Sequence, residues 1–269
     1  MPELLAGLFG LLMGSFLNVC IYRWPRDLSV VRPRSHCTSC DSQISWYDNV
    51  PVLSYAVLRG RCRYCAAPIH WRYPLVELLT AAFFASFVAQ YGLTADAAKY
   101  CVFAAMLIGL IFSDLDMLIL PDQFTIGGFC IGLAFSPFVK VPDSTFAIMA
   151  DIAGFHHMEP RVASFAEAAF GGLFPAVVLW LVGWLFEKLR HKEGLGFGDV
   201  KMIGMIGAFL GIRGALFTVC VGSVLGVVIG LVWIKLTKQD ASTYPLPLGT
   251  FLGIAALIAA VAIRNLPLQ

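Results

Sequence analysis

Four acidic residues stand where an apolar chain has least use for them. Asp114, Asp116 and Asp122 fall in the stretch FSDLDMLILPDQFT, and Asp199 falls in GLGFGDVKM. A carboxylate at membrane depth is costly, which makes it a functional candidate by default. Two carboxylates at one site can activate water. At close range they cannot both ionise, so they share a proton; one acts as base toward water while the other protonates the carbonyl or the leaving group. Each acid also has a plainer role. Asp122 follows Pro121 and opens an apolar segment, so it reads as an N-cap. Asp116 reads as a solvated loop acid, and Asp199, following a glycine, reads equally as a cap. No Ser, His and Asp set and no H-E-x-x-H helix competes for the chemistry.

A second constellation is made of sulfur. CTSC at Cys37 to Cys40 and CRYC at Cys62 to Cys65 give two C-x2-C pairs separated by 21 residues. Two such knuckles can bring four thiolates into a closed tetrahedron around zinc, with no position left for water, so the site is expected to be structural. A pair of disulfides is the alternative, and a reducing compartment argues against it. Cys20, Cys101, Cys130 and Cys220 lie in or beside apolar segments and read as small buried hydrophobes.

The elements that must position these groups follow from composition. Of 269 residues 59% are hydrophobic and only 13% charged, and the mean hydropathy is +0.79. Such a chain is an all-α polytopic membrane protein, not a soluble domain. Apolar segments at 4–22, 74–91, 97–113, 122–139, 166–187, 199–212, 214–234 and 247–263 predict about eight transmembrane helices, the sixth and seventh separated only by the turn GIRG. The organisation expected is a first transmembrane helix at 1–22, a small zinc-ribbon-like domain at 23–73 between helices 1 and 2, and a transmembrane domain at 74–269. A net charge of +2 gives no reason to expect nucleic acid.

Placing 14 of the 19 Lys and Arg residues on one side satisfies the positive-inside rule and puts the 23–73 loop in the cytoplasm and both termini outside. Counting crossings then brings Asp114 and Asp199 to the same, cytoplasmic, membrane face. Gly194, Gly196 and Gly198 permit close approach of another chain, and an extended substrate could lie along them. The outward connection at 140–165 carries Asp151, His156, His157 and Glu159; a short interfacial helix or ordered loop is expected there rather than a metal site.

These residues together resemble the type IV prepilin peptidases, members of the GxGD class of membrane aspartyl proteases. The likeness is carried by GSFLNVCIYRWP (Gly14 to Pro25), the cysteine knuckles, ISWYDNVPVLSYAVLRGRCRYC (Ile44 to Cys65), RYPLVE (Arg72 to Glu77), DLDMLILPD (Asp114 to Asp122) and GLGFGDVKM (Gly194 to Met202). The resemblance implies an enzyme of the bacterial inner membrane that removes the basic leader of prepilins and type II secretion pseudopilins. It implies cleavage after a glycine on the cytoplasmic side, followed by methylation of the new amino terminus from S-adenosylmethionine. Matched position by position, the catalytic pair is Asp114 and Asp199, and the zinc ligands are Cys37, Cys40, Cys62 and Cys65. Three features depart from the family's pattern: Thr38 after the first cysteine, the approximate proline-rich segment PLPLGT, and a longer 140–165 stretch. No nucleotide cradle is recognisable, so methylation rests on the resemblance alone. Two other readings are a presenilin-like or preflagellin-like GxGD protease without methyltransferase activity, and a proton-coupled transporter with a zinc-stabilised loop.

Overall fold

Lipid offers no hydrogen bonds, so an apolar chain must satisfy its backbone within itself, and helices follow. The computed structural model describes residues 1–155, 158–191, 195–237 and 246–262; these form nine α-helices and no β-strand. His156, His157 and Gly194 lie outside the described residues. Among the described residues, five stretches are long and apolar enough to cross a bilayer: Pro2–Arg26, Arg72–Tyr91, Ala95–Met117, Pro160–Arg190 and Phe197–Trp233. The expected segments at 122–139 and 247–263 form shorter helices of 14 and 15 residues. The chain divides into two compact units, Met1–Gly109 and Leu110–Gln269.

The first unit holds α1 (Pro2–Arg23), the short α2 (Leu53–Val57), α3 (Arg72–Tyr91) and the first part of α4 (Ala95–Met117). Leu4, Leu5, Leu8 and Leu12 leave one face of α1 exposed and apolar, as lipid requires. The other face packs backbone to backbone on α3: a Cβ on Gly14 would lie 2.6 Å from the Cα of Glu77. Rings of Phe87 and Tyr91 stack on Tyr100 of α4 with centroids 5.5 and 5.1 Å away. Cys20 and Cys101 are buried as expected, whereas Cys130 and Cys220, in the second unit, lie on exposed helix faces. A thiol is apolar enough for that position in lipid.

The second unit holds the end of α4, then α5 (Asp122–Phe135), α6 (Thr145–Ile152), α7 (Pro160–Arg190), α8 (Phe197–Thr237) and α9 (Leu248–Ala262). Helix α8 reverses direction. Met202 and Gly222 pack against Gly253 and Leu252, neighbours on α9, yet the ~20 residues between them would span about 30 Å of straight helix. The reversal falls at Gly211, whose φ of 76° and ψ of −178° are not helical and need a residue without Cβ. The expected segments 199–212 and 214–234 are the two arms.

Among its described residues, the connection before α7 carries the short helix α6, as anticipated. Asp143 accepts hydrogen bonds from the N–H groups of Ser144 (2.8 Å), Thr145 (3.1 Å) and, across the α8 reversal, Arg213 (2.9 Å). Glu167 of α7 accepts from Phe146 and Ala147 at 3.0 and 3.2 Å, closing the start of α6. Helices α7 and α8 approach so closely that a Cβ on Gly207 would overlap the carbonyl of Gly171.

That contact is testable. Gly207→Ala should destabilise the detergent-solubilised protein by about 3 kcal/mol, the upper end of overpacking costs. Gly127→Ala, where an added Cβ meets nothing within 4 Å, should be neutral or stabilising by a few tenths of a kcal/mol, roughly. Thermal unfolding of the two variants checks the contrast.

Candidate active site and metal centre

Helix α4 stops at Met117 because Leu118 adopts a left-handed conformation (φ 55°) and returns its N–H to the carbonyl of Asp114 at 2.8 Å. Asp114 therefore stands one turn from the helix end, and its side chain is buried, 5% exposed. Asp116 remains in the last turn of α4 on an exposed face, not in a loop as expected.

The carboxylate of Asp114 is held by the start of α9. Its Oδ2 accepts the N–H of Thr250 at 2.7 Å and the Thr250 hydroxyl at 3.0 Å. Glycine at 249 permits the approach, because a Cβ there would lie 3.2 Å from Asp114 Cγ and 2.9 Å from Leu120. The side chain of Leu120 also meets Gly198, where a Cβ would stand 3.2 Å away. Leu120 thus fills the space between the start of α8 and the start of α9, beside Asp114.

Asp199 lies in the first turn of α8, half-buried. It is not the cap: its own N–H already donates to the carbonyl of Gly196 at 3.0 Å, so the helix begins before it. Asp199 and Asp114 are close enough to act on each other electrostatically. Gly196 stands against Asp199, where a Cβ would lie 3.1 Å from Oδ2. The structure thus brings Asp114, Asp199, Gly196 and Gly198 together.

Asp122 does not cap α5 either. Pro121 occupies the cap position in extended conformation (φ −60°, ψ 138°), and its carbonyl receives Phe124 and Thr125. One place further in, Asp122 is paired with Lys201 of α8. The pair ties the segment after Asp114 to the segment after Asp199.

Sequence reasoning missed Thr250, Gly249 and Leu120. PLPLGT was the one available signal for the first two, and nothing about its spacing pointed to Asp114.

In the first unit the four sulfurs of Cys37, Cys40, Cys62 and Cys65 all lie within 4.8 Å of one another. Sulfurs ~2.3 Å from one tetrahedral metal would be roughly 3.8 Å apart, and Cys37 to Cys65 measures 3.8 Å. Both knuckles are built alike. The N–H of Cys37 donates to Ser42 and that of Cys62 to Ala67, at 2.9 and 2.8 Å, and Asp41 and Ala66 turn the chain with φ of 54° and 58°. The thiols also differ electrically. Side-chain and backbone hydrogen bonds at Ser42 pull Cys40 down to about 7, and N–H groups of Cys65 and Tyr64 lower Cys62. For Cys65 the Ala67 N–H lowers it, but hydrogen bonding to Cys40, desolvation, and Cys62 and Cys37 together raise it to about 12. Four thiols so placed, two of them biased toward thiolate, fit a cation; the cluster could hold a metal ion.

Arg63, inside the second knuckle, grips Asp48 with two hydrogen bonds, Nε to Oδ2 at 2.7 Å and NH2 to Oδ1 at 2.5 Å. This bidentate pair joins the turn Trp46–Asn49 to the second cysteine knuckle.

Two family models match the chain. Residues 8–91 match the bacterial peptidase A24 N-terminal domain, and residues 101–231 match the type IV leader peptidase family. Proteins named prepilin leader peptidase/N-methyltransferase are similar over most of their length. The one from Stutzerimonas stutzeri is 32% identical over 95% of this chain and 89% of its own, and the one from Pseudomonas aeruginosa 31% identical over 94% and 87%. That of Myxococcus xanthus is 38% identical over 86% of this chain, which spans 62% of that relative. No solved structure matches the chain. The chain belongs to the type IV leader peptidase family. It is a helical membrane-type enzyme of that family, and these similarities do not favour the transporter or the presenilin-like reading.

The Asp48 and Arg63 pair predicts a local effect. The carboxyl of Asp48 is lowered first by its hydrogen bonds from Arg63, so the pair's stabilisation is complete above the unfolded value of about 4 and is lost as pH falls through the native value. Arg63→Ala and Asp48→Ala should each speed hydrogen exchange over residues 46–49 at neutral pH, and the double variant should be no faster than either single one.

Proposed function

We propose that the protein removes the basic leader of type IV prepilins and type II secretion pseudopilins by cutting after a glycine at the cytoplasmic face of the bacterial inner membrane. It then methylates the new amino terminus. Asp114 and Asp199 are the water-activating pair. One carboxylate accepts a proton from water as the water attacks the scissile carbonyl; the other donates the shared proton to the carbonyl oxygen, and the leaving amine is protonated as the tetrahedral species collapses. The observation that carries this reading is the convergence of a buried aspartate on α4 and a half-buried one on α8 within electrostatic reach. An extended substrate lies along Gly196 and Gly198.

S-adenosylmethionine is a co-substrate. The free amine attacks its methyl carbon, the carbon–sulfur bond breaks, and a proton is lost from the new methylammonium. Zinc occupies Cys37, Cys40, Cys62 and Cys65 as a structural ion, in a closed set that leaves no place for water. The wider architecture is a first helix at 1–22, a cytoplasmic zinc-binding domain at 23–73 and a peptidase domain at 74–269. The full count is eight crossings, with α5, α9 and the two arms of α8 each counted as one, and both termini lie outside. The positive-inside distribution supports that orientation.

Two experiments test the proposal. Purified protein in lipid vesicles, incubated with a prepilin and followed by mass spectrometry with and without S-adenosylmethionine, should yield the shortened chain in both cases and a 14-dalton addition, roughly one methyl group, only with the donor. Asp114→Asn and Asp199→Asn should each lower cleavage by at least ~10²–10⁴-fold, the scale of a lost acid or base, while still inserting; retained cleavage in either removes that residue from the mechanism. Elemental analysis should find about one zinc per chain and almost none in Cys37→Ser/Cys62→Ser. A metal-free intact protein would defeat the zinc assignment.

A further inference from the structure

Among the described residues, the Asp114 carboxylate accepts two hydrogen bonds, both from Thr250 and both at Oδ2. The backbone N–H at 2.7 Å can only donate, so that oxygen is an acceptor. The hydroxyl has a choice: it stands 3.0 Å from Oδ2 and 3.3 Å from the carbonyl of Ile111. The shorter contact, and the one to a carboxylate, is the stronger. Thr250 is itself 4% exposed, so water does not compete freely for these bonds.

We infer that Thr250 is a positioning residue for the peptidase reaction: it fixes Oδ2 of Asp114 as a permanent acceptor and leaves Oδ1 as the oxygen that exchanges a proton with water or with Asp199. The inference rests on the reading of Asp114 as half of the catalytic pair. It goes beyond that reading by giving the two oxygens of one carboxylate different work, and by placing the group that divides them on α9. A carboxylate free to rotate about its Cβ–Cγ bond would present either oxygen and lose part of the benefit of fixed geometry. Gly249 has a supporting part, since a Cβ there would crowd Leu120 at 2.9 Å and Asp114 Cγ at 3.2 Å. Thr250 need not touch the substrate; it acts through Asp114.

The test uses the full chain in vesicles with the prepilin cleavage assay above. Thr250→Val keeps the shape and the backbone donor but removes the hydroxyl. It should lower kcat at least about 10-fold, the scale of one hydrogen bond to a charged group, with KM changed by no more than about twofold. Thr250→Ser restores the hydroxyl and should recover most of kcat, although it removes a buried methyl. If Thr250→Val does not insert stably, Thr250→Cys, a weak donor of similar size, should show the same loss in kcat. Overturning results are a Thr250→Val enzyme with unchanged kcat, a loss confined to KM, or a Thr250→Ser enzyme no better than Thr250→Val. Asp114→Asn, run alongside, separates the two levels: an active Asp114→Asn enzyme defeats the catalytic pair itself, whereas an inactive one beside an undisturbed Thr250→Val enzyme defeats only the role of Thr250.

Discussion

An acid enclosed in an apolar helical protein must be given hydrogen bonds by the protein, because lipid has none to give. Four buried acids here meet that constraint in one way, by accepting backbone N–H groups from a segment distant in sequence. Glu77 takes the N–H of Val52 at 2.7 Å, Asp114 that of Thr250, Asp143 that of Arg213, and Glu167 those of Phe146 and Ala147. Each bond satisfies two costly groups at once, the carboxylate and an amide at a helix start or turn. The same bonds hold the chain's irregular places. Val52 is β-branched with φ of 58°, an expensive conformation, and the Glu77 carboxylate holds it. Asp143 sits against the reversal at Gly211, and Asp114 receives the start of α9.

Helices joined in this way can pack at backbone distance only where side chains are absent. Gly10 and Gly14 of α1, Gly171 and Gly172 of α7 and Gly207 of α8 meet backbone atoms of neighbouring helices, a mode suited to membranes, where small residues gain dispersion contact without any hydrophobic driving force between helices. The exposed leucines, valines and tryptophans of α7 then form an apolar outer surface of the kind a bilayer accommodates. Packing and polar stitching thus divide the work: glycine contacts hold the long helices side by side, and acid-to-amide bonds fix their ends.

The residues legible in the sequence were those whose meaning is local. Asp114, Asp199 and the four cysteines announce themselves by residue type against an apolar background or by C-x2-C spacing, and the turn GIRG marked the reversal now placed at Gly211. What could not be read was which chain ends meet. Thr250 lies far along the chain from Asp114, and an ordinary threonine near a helix start carries no sign of its partner. Asp122 was misread for a local reason: a proline before an acid favours a helix start, but the proline itself took the cap position. Hydropathy also reads apolar length without helix length: the expected segments at 122–139 and 247–263 fold as helices of 14 and 15 residues.

The placement of the two aspartates is electrically uneven. Asp199 lies in the first turn of α8, where exposed amides favour negative charge, whereas Asp114 lies in the last turn of α4, where exposed carbonyls oppose it. Helix α9 offsets the difference by directing the amide of Thr250, in its first turn, at Asp114. Three helix ends therefore set the field at one site, two amino-terminal and one carboxyl-terminal. A water-activating pair of the kind proposed above would find fixed dipoles at such ends. This is also why the site belongs where helices end and not at their midpoints: only there are backbone dipoles unpaired and available to be aimed.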